Sequence, residues 1–354
     1  MAARTLRYRY FDQLAASLGI EKICVAHHRD DSVETILMNL IRGTGIDGLT
    51  GIKPRTKSMY SDSLIIVRPL LCVSRSGIEK WLKELGQKFV VDSTNLVDDV
   101  VRNKLRLNVI PQLVEINPSA IENIALTAEN LNQTALVAND AIGKTCQQIV
   151  SHKEDRTVVS LSELRQTMCP EAILFHVLKP YGFKPSQIRQ IASNLNVQSG
   201  RSWQSKTHDA SVFEDTLIIM PADFDKKSYT FPMPSKYVLS SGLVVRISEE
   251  EITQDFVLEK NDPNVVMLDA DLVKFPLKLR LTEKGDRFHP LGMKGTKLVS
   301  DFLTDRHVSL LDKRRQYVLT DSEGNIVWVV SLRPDHRFRI TEKSKKVLKI
   351  VLVD

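Results

Sequence analysis

The sequence predicts an α/β protein in which an incomplete doubly wound parallel sheet is followed by a helical domain and a small α+β C-terminal domain. Three observations lead there. Short apolar runs at 22–26 (KICVA), 64–67 (LIIV) and 88–91 (KFVV) alternate with helical patterns, as in a parallel sheet covered by helices. Between 119 and 195 apolar residues recur at helical spacing. From 277 to the end β signals return, with NIVWVVSL after Gly324 and VLKIVLV near the C-terminus.

Residues 4–18 read as a helix with Leu6, Tyr10, Leu14 and Leu18 on one stripe, stopped by Gly19. The run 22–26 reads as a buried strand in which Cys24 acts as a small hydrophobe, as Cys72 does in its own apolar run. It leads straight into HHRDDSVETILMNLIRG, a helix of about 15 residues. A strand at 64–67 precedes Pro69, a helix covers 76–86, and 88–91 is a further strand. A doubly wound sheet usually opens with a strand and a glycine-rich turn, whereas this sequence opens with a helix. Residues 119–150 form a long alanine-rich helix, and 161–195 add amphipathic helix through Leu161, Leu164, Ile173, Leu174, Val177 and Leu178. Strand-like alternation appears at 216–220, and 222–275 carries turn formers with an acidic stretch at 249–251. The expected divisions are 1–117, 118–224, a connecting segment 225–276, and 277–354.

With 354 residues, 42% hydrophobic and 26% charged, the chain can bury a core in each of two or three domains. No apolar run approaches the roughly 18 residues that a membrane span needs. MAARTLRYRY has no signal-peptide core, so a cytoplasmic location is expected. The net charge of +6 and pI of about 9.0 permit a polyanionic partner. The excess is concentrated in 277–354, with roughly 17 Lys and Arg against about 10 Asp and Glu. Cysteines at 24, 72, 146 and 169 form no CxxC pair, which argues against a zinc or disulfide framework.

The strongest chemical signal is H-x3-D-x2-E, formed by His27, Asp31 and Glu34. On a helix these three project within about 60° of one another. Carboxylates at the carboxyl end of a sheet can hold Mg²⁺ beside a triphosphate, and the imidazole can bond a phosphate or position a nucleophile. Asp30 reads instead as an acidic helix start that favours the macrodipole. In RGTGIDGL, Gly43, Gly45 and Gly48 read equally as a helix cap with a turn and as mobile backbone near a ligand, with Arg42 at its mouth. In DSTNLVDDVVRNKLRLNVIPQL, Arg102 and Arg106 share a helix face beside Asn103, and Val109, Ile110 and Leu113 supply its core contacts. Such a pair clamps phosphates or is simply a solvated basic face. Asp92, Ser93 and Asn95 fall just after the strand at 88–91. The basic tail offers Arg287, Lys294, Lys297, Arg314, Arg315, Arg333, Arg337 and Arg339 for phosphate contacts, with Gly285, Gly292 and Gly295 making a flexible loop among them. Phe288, His289 and Phe338 are candidates for stacking on unpaired bases, although Phe338 also fits a core position on a strand.

Taken in order and spacing, HHRDDSVET, RGTGIDGL, RPLL, D-S-x-N…R-N-x-x-R…I-P, and the tail GDRFHPLGMKGTKLVSDFL…WVVSLRPDHRFRIT resemble the tRNA(Ile)-lysidine synthases. The leading AARTLRYRYF is similar to that family's helix before the HH strand, while 120–275 matches only in general character. The resemblance implies an adenine nucleotide alpha hydrolase-like sheet of the pyrophosphatase-loop class at 1–117, a mainly helical tRNA-contacting domain at 118–224, and a tRNA-binding domain at 277–354. It implies that ATP, with Mg²⁺, adenylates C2 of the wobble cytidine of tRNA(Ile) bearing a CAU anticodon, and that free L-lysine displaces AMP. Carried over by position, His27, Asp31 and Glu34 line the active site, with Asp31 and Glu34 as the metal candidates. Ala26, Arg42 and Gly43 lie beside the nucleotide. Asp92, Asn95, Arg102, Asn103 and Arg106 face tRNA or nucleotide, and Arg287, Lys294, Lys297, Arg333, Arg337 and Arg339 face tRNA.

The family's SGGxDS loop grips the ATP phosphates through backbone amides. This sequence contains no SGG, and its first residues match a point downstream of that loop. The expectation is therefore a shortened member that does not bind ATP productively and that exposes sheet surface. Three alternatives remain: a tRNA-binding module without catalysis, a thiolating relative (for which the cysteine spacing offers no pair), and a metal-dependent hydrolase built on His27, Asp31 and Glu34. A homodimer is left open, and no membrane partner is expected.

Overall fold

The structure, a computed structural model, describes residues 2–61, 63–90, 101–195, 200–253, 256–259 and 262–353. It divides into two compact units, Met1–Gly143 and Lys144–Asp354.

The first unit runs α1 (Ala2–Leu18), β1 (Lys22–Cys24), α2 (Arg29–Arg42), α3 (Ile46–Leu49), β2 (Arg55–Lys57), β3 (Ile65–Val67), α4 (Arg75–Glu84), α5 (Val101–Lys104), α6 (Ile110–Ile116) and most of α7 (Ala120–Ile149). A π-helical turn, Leu105–Val109, joins α5 to α6. β1 and β3 are parallel, with Lys22 opposite Ile65, and β2 adds antiparallel on the far side of β3. The parallel pairing delivers the N-terminal end of α2 to the carboxyl end of β1, the position at which α/β sheets collect ligands. Val33 and Ile36 of α2 are buried, as are Leu64, Ile66 and Leu105 of the same unit.

Several expectations change here. β1 is not a buried strand, because it pairs with β3 on one side only and leaves Lys22 and Cys24 exposed. Cys72 lies in the 3-10 turn Pro69–Cys72 and is exposed as well. The α1 stripe faces solvent, with Leu6 at 65%, Tyr10 at 59% and Leu18 at 61% exposure. α2 buries Val33 and Ile36, while Leu40 and Ile41 near its end are exposed. On the Arg102–Arg106 segment the core contact is Leu105, while Val109 is largely outside. Residues 88–90 form no strand, and position 91 lies outside the described residues.

The second unit begins within α7. Its first part holds β4 (Val150–Lys153), β5 (Arg156–Ser160), α8 (Leu161–Gln166), α9 (Pro170–Leu178), α10 (Pro185–Ala192), β6 (Ser202–Gln204), β7 (His208–Phe213) and β8 (Thr216–Pro221). The helices bury Leu161, Leu164, Ile173, Leu174, Val177 and Leu178, as their spacing requires. Beside them the strands form an antiparallel sheet ordered β4-β5-β8-β7-β6.

Next come β9 (Tyr229–Phe231), β10 (Lys236–Val238), β11 (Val244–Glu251), β12 (Val265–Asp269), β13 (Leu277–Leu281), β14 (Arg287–Phe288), β15 (Lys297–Leu298), α11 (Val299–Asp305), α12 (Leu310–Arg315), β16 (Tyr317–Thr320), β17 (Ile326–Val329), β18 (Arg333–Pro334) and β19 (Lys346–Val353). They build antiparallel sheets ordered β10-β11-β19-β12 and β18-β17-β16-β13-β9, with the β14-β15 hairpin beside them. The stretch 225–276, read from sequence as a connector, supplies strands to both larger sheets and core residues Phe231, Val245, Ile247, Val266 and Leu268. Among the described residues no helix is long and apolar enough to cross a membrane.

Candidate active site and basic C-terminal face

α2 starts at Arg29, and the backbone of His28 is extended (φ −116°, ψ 179°). The Asp31 carboxylate accepts the His28 backbone N–H at 3.0 Å and so ties down the first turn. His27 lies ahead of the helix, so the helical projection does not apply to it. The His28 imidazole lies 3.5 Å from Asp30 and 3.4 Å from Asp31. Asp30 accepts the Arg75 backbone N–H at 2.9 Å, which places a negative charge at the start of α4. Burial alone would raise the Asp30 carboxyl, but the bonds from His28 and Arg75 outweigh it and hold the group below the usual carboxylate range.

Asp31 and Glu34 do converge, and their common partners are the two arginines 68 to 75 residues further along the chain. Glu34 is buried to 1% exposure. It accepts Arg102 Nε at 2.5 Å, Arg106 Nε at 2.6 Å and a second Arg106 nitrogen at 3.0 Å. Asp31 takes Arg102 at 2.9 Å and lies 3.8 Å from Arg106. The hydrogen bond to Glu34 raises the Arg106 pKa further, against the opposing effect of burial. Asp31 and Glu34 thus share one network with Arg102 and Arg106, in which each fork is held on more than one side. The sequence placed Arg102 and Arg106 on one helix face without indicating that Asp31 and Glu34 hold them.

The Mg²⁺ expectation is tested by the same geometry. Asp31 and Glu34 already serve guanidinium groups, and among the described residues no three His, Cys, Asp or Glu side chains come together as a metal site. These residues do not fit a divalent cation in this arrangement, because a hard cation needs several oxygens directed at one point.

The other candidates disperse. Ala26 precedes α2, whereas Arg42 and Gly43 close it, about 20 Å away at the rise of an α-helix. Gly43 (φ 74°) forms the helix C-cap, donating its N–H to Leu40 at 3.1 Å. The glycine-rich loop is held to the helix by Asn39, which donates to the Gly48 carbonyl at 2.8 Å. Asn103 sits on α5. Asp92, Ser93 and Asn95 lie outside the described residues. A cavity of about 780 Å³ in this unit is lined by Arg29, Ser32, Lys53, Arg55, Glu122 and Glu129 among others. The carboxylate–arginine network does not line it.

At the C-terminal end, Arg287, Lys294 and Arg339 are exposed, while Lys297 pairs with Asp305. Arg333 is half-buried near Arg306; burial and then the like charge of Arg306 push its pKa down. Arg337 is bound by Asp335, a fully buried carboxylate that also accepts the backbone N–H groups of His289 and Arg337, each at 2.8 Å. Asp335 was not singled out in the sequence, where it reads as one acid in a basic stretch. Phe288 is fully buried with its ring edge-on to Phe302 at 5.1 Å, and Phe338 is core at 6% exposure, so neither is placed to stack on a base.

A second half-buried pair stabilises this face. Asp286 accepts Arg280 through two bonds of 2.8 Å and the Glu283 N–H at 2.8 Å. Burial raises the Asp286 carboxyl, but Arg280 and the Glu283 amide more than reverse this and lower it. A lowered folded pKa contributes stability above the unfolded value near 3.9 and loses it as pH falls through the folded value. Asp286→Asn is therefore expected to cost about 2 kcal/mol at neutral pH. The gap to the parent should close below about pH 4 in melting curves followed by Trp328; a gap independent of pH would contradict this assignment.

A profile for the PP-loop domain matches residues 1–113, one for the TilS substrate binding domain matches 152–222, and one for the TilS substrate C-terminal domain matches 277–351. A protein of Parabacteroides distasonis named tRNA(Ile)-lysidine synthase is 43% identical over 349 residues, covering 98% of this chain and 77% of that relative. Proteins of the same name from Bacteroides thetaiotaomicron and Porphyromonas gingivalis are 41% and 33% identical, covering 98% and 97% of this chain and 76% and 75% of their own lengths. With the motif carboxylates and arginines joined in one site, and with identity at this level along nearly the whole sequence, the chain belongs to the tRNA(Ile)-lysidine synthase family.

Proposed function

We propose that the chain binds tRNA(Ile) with a CAU anticodon and, using ATP, joins free L-lysine to C2 of the wobble cytidine through an adenylated intermediate from which the lysine amine displaces AMP. The observation that carries this reading is the convergence of Asp31 and Glu34 with Arg102 and Arg106 beside the carboxyl end of a parallel strand. Glu34 and Asp31 fix both guanidinium planes, and fixed guanidinium donors recognise phosphate, whether of a nucleotide or of an RNA backbone. The first-unit cavity offers cations at Lys53 and Arg55 and an anion at Glu129, as a free amino acid with both charges requires. The exposed cations Arg287, Lys294 and Arg339, with Arg333 and Arg337, supply sequence-independent attraction to the tRNA backbone.

The test is transfer of labelled lysine to transcripts. Label is expected in tRNA(Ile) with a CAU anticodon, only with ATP present, and with AMP released; a transcript whose wobble base is not cytidine should stay unlabelled. Tight, salt-dependent tRNA binding with no transfer would contradict the ligase reading and leave a tRNA-binding module.

A further inference from the structure

The second unit holds a cavity of about 450 Å³ that the ligation chemistry does not use. Cys146 and Gln147, at the end of α7, line it together with His152 of β4, Thr157 of β5, His176 of α9 and Tyr181. Among the described residues its lining contains no Lys, Arg, Asp or Glu, so it is suited neither to a phosphate nor to the ammonium and carboxylate of an amino acid. Its size falls within the range of small-molecule sites.

One wall is an ordered relay. His152 Nδ1 lies 3.0 Å from Thr157 Oγ1, which lies 2.7 Å from the Tyr181 hydroxyl. Thr157 has a single hydroxyl proton, so the relay runs in one direction at a time. If Tyr181 donates to Thr157 and Thr157 to His152, the neutral imidazole keeps an Nε2–H donor and the phenol oxygen keeps acceptor capacity. If the direction reverses, Nε2 becomes the acceptor and the phenol proton becomes the donor. In both cases the wall presents one donor and one acceptor.

Tyr181 is also fixed in place. Its carbonyl accepts Ser205 at 2.7 Å and Thr207 at 3.1 Å, and the His208 ring packs edge-on at 4.7 Å. A half-buried aromatic ring held this firmly needs little reordering to receive a flat partner.

We propose that this cavity takes a single unpaired nucleobase, whose paired donor and acceptor edge meets the His152–Thr157–Tyr181 relay. The assignment rests on the reading that the chain acts on tRNA, and it deepens that reading by giving the region matched as a substrate-binding domain a base-recognition site. Unpaired bases in RNA loops are read in this way, by edge hydrogen bonds beside an aromatic ring.

Cys146 provides the test, because it is a free thiol in the lining. Burial pushes the Cys146 thiol up, so its alkylation is slow and responsive to occupancy. The full chain is treated with iodoacetamide, and the modified peptides are quantified by mass spectrometry in millimolar cytidine, uridine, adenosine or guanosine. At least one nucleoside should slow Cys146 about fivefold or more in a saturable way, leaving exposed Cys169 unchanged. Ribose 5-phosphate, inorganic phosphate and L-lysine should not protect. Tyr181→Phe, which keeps the ring and removes the hydroxyl, should weaken the protection severalfold while the melting temperature stays close to the parent's. Failure of every nucleoside to protect, or equal protection by phosphate or lysine, would overturn the proposal. If tRNA still binds in that case, the cavity assignment falls and the reading of the chain as a tRNA enzyme stands.

Discussion

Glu34→Gln is expected to destabilise the first unit by about 3 kcal/mol. Glu34 is 1% exposed and receives three guanidinium nitrogens between 2.5 and 3.0 Å. The amide keeps the size of the side chain but loses the charge, and its NH₂ group turns a donor toward donors. Removing one member of a buried ion pair generally costs 3–5 kcal/mol, because the other member remains desolvated without a counter-charge. Arg102 and Arg106 are 34% and 21% exposed, so water recovers part of that cost and the lower figure applies. Hydrogen exchange over the peptides of α2 reads the effect locally, and their protection should fall roughly a hundredfold. Exchange unchanged from the parent would show that the network contributes nothing to the fold.

Asp335→Ala should have a comparable effect in the second unit. The carboxylate is fully buried and accepts two backbone N–H groups besides the Arg337 guanidinium. Its loss leaves those donors unsatisfied and Arg337 without its partner, a cost of about 3 kcal/mol. For a unit of this size that lowers the melting temperature by roughly 10 °C. Asp335→Asn, which retains an acceptor oxygen, should lose about half as much. Because Asp335 also positions His289 and Arg337 on the basic face, the alanine variant should bind tRNA more weakly with a shallower salt dependence. Full stability with an unchanged salt slope would mean that the buried carboxylate organises nothing.

The elements that the sequence made legible are those whose signal is local. α7 and the helices carrying Leu161 to Leu178 were read from apolar spacing, and the final strand from its aliphatic run. The acidic start of α2 was equally visible, because Asp30, Asp31 and Glu34 lie within one turn and a half. What was hidden is what requires distance along the chain. Glu34 and Arg102 are separated by 68 positions, so nothing in either motif says that one neutralises the other. His27 was set on the helical face by spacing alone, whereas the helix starts at Arg29 and the backbone at His28 is extended. The strands between Val150 and Pro221 are short and interrupted by helices, so their antiparallel pairing left only a trace at 216–220. Phe288 looked available beside Arg287 and His289, yet its ring packs on Phe302, because alternate residues of a hairpin face opposite sides.

A double-mutant cycle between Glu34 and Arg106 tests most directly whether the motif carboxylates and the motif arginines form one site. Glu34→Gln, Arg106→Gln and the double variant are compared with the parent by exchange of the α2 amides. A single network requires a coupling of about 2 kcal/mol, so that the double variant is much less damaged than the sum of the single ones. Additive losses, with a coupling below about 0.5 kcal/mol, would show the two groups to be independent and contradict the site described here.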